Sequence, residues 1–399
     1  MGMLNRRTFT TAIAAATIIG AAHAVEVDDD AIRDILRRRV EVEKRTVGMA
    51  VCIVTPKRQR FVAWGRERLG DAQPVALDTV FEIGSVTKVF TGLLLADMTR
   101  RGEVGLDDPV ARHLPGDFHV PMLEGRQITL ADLATHTSGL PGFPQFPGPP
   151  FSPPWLEAMA RFSVEDFKAW LADFHPQRPA GAGWEYSNAV GYSLLGMALA
   201  NRVGRPYETL VQTRVIDRLG LHNTTFHPTA AMERRLAEGH DPTLKPVAPF
   251  EVGIFAAAGA LRSTPRDMSR FAAAILPGSG AGIAPDEQLL LSVRRPAPPI
   301  GGVQALGWEV LDAPGGRFVS KDGVSTGQAA SMVFDPDTRV AIVAFSNTVP
   351  DLRSSAPSGG GIGAADIARH ILRPEILLGG EGGRGSPATA VRVAINIGL

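Results

Sequence analysis

The chain is short of several residue types, and each shortage closes a possibility. It has one cysteine, Cys52, so no disulfide forms within the chain and no cysteine cluster binds a metal. Cys52 lies in the apolar run 49–54, where a buried core thiol is expected. Positive charge is not in excess: Lys plus Arg and Asp plus Glu both number 41, a formal net charge of zero. No clustered basic stretch marks a nucleic-acid partner. Only six of the basic residues are lysines and only three residues are tyrosines, so a lysine or tyrosine inside a motif carries more information than usual.

Long hydrophobic runs are also scarce. The one near the N-terminus, residues 12–22, is too short for a permanent membrane helix. It follows Asn5-Arg-Arg-Thr-Phe9 and precedes Ala22-His-Ala24, a small-x-small cleavage pattern. Residues 1–24 therefore read as an export signal. The pair Arg6 and Arg7 resembles the twin-arginine type, and an ordinary secretory signal is the alternative. Either reading puts the mature protein in the periplasm or outside the cell, with no stable membrane span.

What remains is long enough for a large core, and at roughly 150 residues per unit for two or three units. A helix is expected over 28–40, with acids leading and arginines closing. Strands are expected over 46–54 and 60–65, and 81–84 is an extended approach to a helix over 86–101 with Val89, Leu93 and Ala96 on one face. Helices are expected over 130–135, 164–174, 187–203, 207–219 and 265–276. Segment 141–155 holds seven prolines and four large aromatics, so it is neither regular helix nor central strand. It reads as an ordered surface loop or as the rim of a cleft. Strands return over 306–311, 317–320, 329–334 and 339–346, and a helix over 362–372 closes the fold. The fold class is α/β (α+β): one mixed antiparallel sheet built from both ends of the chain and flanked by helices, beside a mostly helical insertion. The α/β part takes in about 25–110 and 300–375, the helical part about 111–299, and 376–399 is a tail. Stretches 358–363 and 379–385 read as mobile from their glycines, and 388–399 is apolar and β-prone.

Three short motifs can carry chemistry. In Ser85-Val-Thr-Lys88, serine and lysine share one helix face, with Cβ atoms about 5–6 Å apart. Serine needs a base to become a nucleophile, and a buried amine near a second cation loses its proton readily. The free N–H groups of the helix start can hold an oxyanion. Tyr186-Ser-Asn188 offers a phenol for acid–base work and an amide that both donates and accepts. Lys321-Asp-Gly323, before Val324, offers a cation and an approachable backbone, expected on an edge strand between two β runs. Each motif alone has an ordinary explanation: an N-cap with a surface lysine, a core tyrosine before a helix cap, and an Asp-Gly turn.

In this order and spacing, the three together resemble the class C β-lactamases and their relatives, the D-alanyl-D-alanine carboxypeptidases and family VIII carboxylesterases. Leu133-Ala-Thr-His-Thr-Ser-Gly-Leu-Pro141, Gly259-Ala-Leu-Arg-Ser-Thr-Pro-Arg-Asp-Met268, Ala305-Leu-Gly-Trp308 and 219–226 resemble the same group, and the resemblance runs over 46–347. It implies that Ser85 is acylated, that Lys88 assists its deprotonation and that Tyr186 is the acid/base. It implies that Asn188 binds the acyl amide and Lys321 holds the electrostatics. Gly323 would admit the substrate to the main chain, and the N–H groups of Ser85 and Val324 would form the oxyanion hole. His136 is then a structural turn residue. No cofactor or metal is implied, and the partner is a small-molecule or peptidoglycan-derived substrate.

One position departs from the pattern. Where those β-lactamases have Thr between Lys and Gly, this chain has Asp322. An ionised carboxylate facing the cleft would repel a substrate carboxylate by about 1 kcal/mol in water and about 4 at an effective dielectric of 20. Three functions follow from these residues. The first is a β-lactamase or DD-peptidase working through an acyl-serine. The second is a carboxylesterase using the same serine. The third is a penicillin- or peptidoglycan-binding sensor without turnover.

Overall fold

The computed structural model describes residues 28–278, 289–313, 315–350, 363–376 and 378. The expected export signal, residue 358 to 362 of the first glycine-rich stretch, all of the second, and the apolar tail lie outside the described residues.

Three apolar runs dictate the centre of the molecule. Strands β1 (Gly48–Val54), β11 (Ala329–Asp335) and β12 (Val340–Ser346) are buried along their whole length, as a strand covered on both faces must be. They belong to an eight-stranded sheet that also takes β2 (Gln59–Gly65), β7 (Arg295–Ala297), β8 (Gly302–Gln304), β9 (Glu309–Ala313) and β10 (Gly316–Val324), in the order β2-β1-β12-β11-β10-β9-β8-β7. All its pairs are antiparallel. Two small ribbons, β3 (Phe81–Glu82) with β6 (Arg262–Ser263) and β4 (Gly239–His240) with β5 (Pro246–Val247), lie outside it.

Alternation sends each strand's side chains to two cores. Cys52, Met332 and Val343 join the large core of the helical region, while Val51, Val333 and Ile342 pack with Ile32, Leu36, Ile367 and Ile371. The latter group comes from helices Asp29–Arg37 and Gly363–Leu372, which close the far side of the sheet. Burial pushes the Cys52 thiol up to about 12, as suits an inert core residue.

Helix Thr87–Arg100 is not the one-sided helix its spacing suggests. Every residue from Thr87 to Met98 is buried, because the sheet and helical region enclose it on all sides. Helix Asn188–Val203 is nearly as enclosed and ends on Gly204 in the left-handed region. The expected helix over 207–219 is broken into α, π and 3₁₀ pieces. In segment 141–155 only the end is regular, where Pro153 and Pro154 open helix Pro153–Arg161. No helix among the described residues is long and apolar enough to cross a membrane.

Candidate active site

Ser85 sits in a 3₁₀ turn, Gly84–Val86, that leads into helix Thr87–Arg100. Gly84 has φ 48°, and a Cβ there would lie 2.4 Å from the Val324 carbonyl oxygen. From the other side, a Cβ on Gly323 would lie 2.0 Å from the Ile83 carbonyl oxygen. Two glycines therefore let the serine turn touch the end of β10 main chain to main chain. This contact brings residues far apart in the chain to one cleft.

The end of β10 is available because β9 stops early. Pairing with β9 covers β10 only as far as Ser320. Lys321-Asp-Gly323 is thus neither a turn nor on an edge strand, as expected from sequence; it lies on an interior strand whose last residues lack a strand neighbour on one side.

Lys88, one helical turn beyond Ser85, is fully buried. Its Nζ lies 2.8 Å from Ser85 Oγ, 2.9 Å from Asn188 Oδ1 and 2.8 Å from the Ala258 carbonyl oxygen. Burial, reinforced by the positive charge of Lys321, holds its pKa well below the usual lysine value. Two of its N–H groups serve the two acceptors that cannot donate; towards Ser85 Oγ the nitrogen donates when charged and, when neutral, can offer its lone pair to the hydroxyl.

Lys321 behaves in the opposite way. Burial favours its neutral form, but the carboxylate of Glu309, 2.8 Å from Nζ, outweighs burial and raises its pKa above the usual lysine range. Lys321 Nζ also lies 3.4 Å from the Tyr186 hydroxyl and 4.9 Å from the centre of its ring. Lys88 Nζ lies 5.3 Å from the same ring. The phenol of Tyr186 therefore stands between a lysine whose charge is disfavoured and one whose charge is held.

His136 closes the back of the site. It is fully buried at φ 58°, its ring centre is 4.4 Å from that of Tyr186, and its Nδ1 is 3.2 Å from Ser187 Oγ. Burial and the two lysines push its pKa well below the ordinary histidine value. It is a neutral packing residue in a left-handed turn.

Asp322 does not point its carboxylate at the substrate space. Strand alternation sends Lys321 to the cleft side and Asp322 to the other, where Ser331 Oγ donates to Oδ1 at 2.7 Å and Arg369 of helix Gly363–Leu372 pairs with Oδ2. The repulsion expected for a cleft-facing carboxylate is thereby removed: the charge is turned away and compensated.

The cleft beside Ser85 is bordered by Tyr186, Asn188, Gly323 and Val324, with Phe143, Phe151, Phe250 and Phe255 on its other walls. Segment 141–155 supplies two of these rings, so it is both an ordered loop and a cleft rim. Ser85, Lys88, Tyr186, Asn188, Lys321, Gly323 and Val324 all converge here. Glu309 and Arg369 escaped the sequence reading. Glu309 directly follows Ala305-Leu-Gly-Trp308, and that adjacency was the one available signal; nothing in the sequence ties Arg369 to Asp322.

A buried lysine poised on a half-buried serine at the start of a helix, beside a sheet flanked by helices, defines the class of β-lactamase-like serine hydrolases. Comparison with known proteins places the chain within it. Residues 29–361 match the family described as Beta-lactamase, and the chain belongs to that family. It is 30% identical over 276 residues to the D-alanyl-D-alanine-carboxypeptidase/endopeptidase AmpH of Escherichia coli, covering 67% of this chain and 69% of that one. It is 28% identical over 333 residues to a Beta-lactamase of Escherichia coli, covering 82% and 81%. Among solved structures, a Beta-lactamase/D-alanine Carboxypeptidase from Yersinia pestis complexed with citrate matches with TM-score 0.68 and 26% identity, over 80% of this chain and 92% of that one.

Proposed function

We propose that the protein hydrolyses β-lactams or D-Ala-D-Ala-type cell-wall peptides through an acyl-serine formed on Ser85. The observation that carries this reading is the 2.8 Å contact between Lys88 Nζ and Ser85 Oγ, made by a lysine that is fully buried and hydrogen-bonded to no carboxylate.

Neutral Lys88 takes the Ser85 proton as Oγ attacks the carbonyl carbon. The oxyanion is received by the N–H groups of Ser85 and Val324, which the Gly84 and Gly323 contact brings side by side; one such donor is worth about 3 kcal/mol of transition-state stabilisation. Tyr186, hydrogen-bonded to charged Lys321, passes a proton to the leaving nitrogen and later draws one from the hydrolytic water. Asn188 gives its amide oxygen to Lys88, so its NH₂ remains for the carbonyl of the acyl amide. Residues 1–24 act as the export signal, which delivers the enzyme to the periplasm where these substrates occur.

A second reading, a carboxylesterase cleaving short-chain esters with the same serine, is favoured by the aromatic walls of the cleft. The test is one substrate panel: a chromogenic cephalosporin, a peptide ending in D-Ala-D-Ala, and a short-chain p-nitrophenyl ester, each with wild type and Ser85→Ala. Cephalosporin turnover or D-Ala release that vanishes in Ser85→Ala is the expected result. Esters cleaved far faster than both would install the second reading, and no turnover of any member would end the hydrolase assignment.

A further inference from the structure

Beyond the proton-transfer groups the cleft is walled by aromatic rings, and from these walls we infer that the acyl half of the substrate carries an uncharged aryl side chain or one of similar bulk and hydrophobicity. The inference rests on the hydrolase reading and names its substrate class.

The rings come from two segments that meet. Phe143 and Phe151 belong to the proline-rich segment 141–155, and Phe250 and Phe255 to the stretch before Ala258, whose carbonyl holds Lys88. Phe151 and Phe250 stand 6.3 Å apart between ring centres, which joins the two segments across the cleft. Trp155 supports the wall from behind, 4.9 Å from Phe143 and 5.1 Å from Phe151. Seven prolines restrict the backbone of 141–155. The wall thus stands before substrate arrives, and little ordering is left for binding to impose.

Phe151 adds an independent observation. Its φ is 62°, in the left-handed region that a bulky side chain rarely adopts. Such backbone persists only where its surroundings impose it, and it gathers at ligand sites. Here it presents the ring to the same cleft as Ser85.

Charge completes the argument. Among the described residues that border this cleft Asp322 alone is charged, and its carboxylate is already held by Ser331 and Arg369, while Lys321, buried beside Tyr186, is already paired with Glu309. An ammonium or carboxylate on the acyl side chain would lose water here and gain no partner. An aryl group would exchange water for ring contacts.

The experiment uses matched pairs: two penams that differ only in a phenylacetyl or acetyl amide, and the ethyl esters of N-phenylacetylglycine and N-acetylglycine. Wild type should prefer the phenylacetyl member of whichever pair it turns over by roughly tenfold to a hundredfold in kcat/KM. That ratio should collapse towards one in Phe151→Gly, a substitution that removes the ring at a φ glycine adopts freely. Phe143→Ala should lower it as well, with circular dichroism confirming the fold of both variants. Equal kcat/KM within each pair, or a ratio that Phe151→Gly leaves intact, would overturn the inference and leave the hydrolase reading standing. Turnover of no member of either pair would overturn the inference, and the hydrolase reading falls with it only where the peptide ending in D-Ala-D-Ala is not cleaved either.

Discussion

Lys321 and Glu309 form an ion pair of 2.8 Å inside the protein, and the lysine of that pair also faces Tyr186. The two side chains are 2% and 11% exposed, so water screens the pair little. Glu309→Gln leaves a buried cation without its counter-charge. The expected loss is about 3–5 kcal/mol of folding stability, read by urea denaturation at neutral pH. Because the folded-state pKa of Lys321 lies above its unfolded value, the pair's stabilisation is fully present below the ordinary lysine range. On the alkaline side it is lost as pH rises through the raised value. A Glu309→Gln protein as stable as wild type would show that the pair adds nothing.

The contrast between the lysines sets the pH response. On the proposed mechanism Lys88 acts as a neutral amine, so kcat/KM should fall on the acid side as Lys88 takes up a proton. Burial first, and Lys321 second, keep that acid limb well below the usual lysine value. Lys321→Met removes one cause of the depression, and Glu309, left without its partner, also favours a protonated Lys88. The acid limb should therefore move to higher pH, along with a loss of rate. A pH–rate profile checks this, and an acid limb that stays in place would assign the proton to another group.

The contact between the serine turn and β10 is equally open to test. A Cβ on Gly323 would lie 2.0 Å from the Ile83 carbonyl oxygen and 2.8 Å from the Ser85 nitrogen. Gly323→Ala must push strand and turn apart. A displacement of this kind costs about a hundredfold in rate, with about 1–3 kcal/mol of stability for the overpacking. Gly116→Ala, where nothing lies within 4 Å, is the control and should leave both unchanged.

Much of this was legible from sequence because it is local. The buried strands announce themselves as apolar runs, and Ser85 and Lys88 share a helix face by spacing alone. Segment 141–155 could be excluded from regular structure by its prolines. What stayed hidden depends on register and packing. Strands β7 and β8 have three residues each, too few for a periodic signal. Once β10 is known to run through Lys321 to Val324, alternation alone separates Lys321 from Asp322; ending the expected strand at 320 concealed this. The partners Glu309 and Arg369 are chosen by tertiary packing, 12 and 47 residues away in the chain from Lys321 and Asp322.

The order of the sheet carries a consequence for biosynthesis. β12 lies between β1 and β11, so the first of the described strands to be made pairs with the last of them. A nascent chain on the ribosome that has produced Ser85, Lys88 and even Lys321 still has a gap in the middle of its sheet. The pocket can close only after residue 346 has emerged, so the proposed acyl transfer stays switched off until then, and maturation follows the slow tempo of long-range pairing.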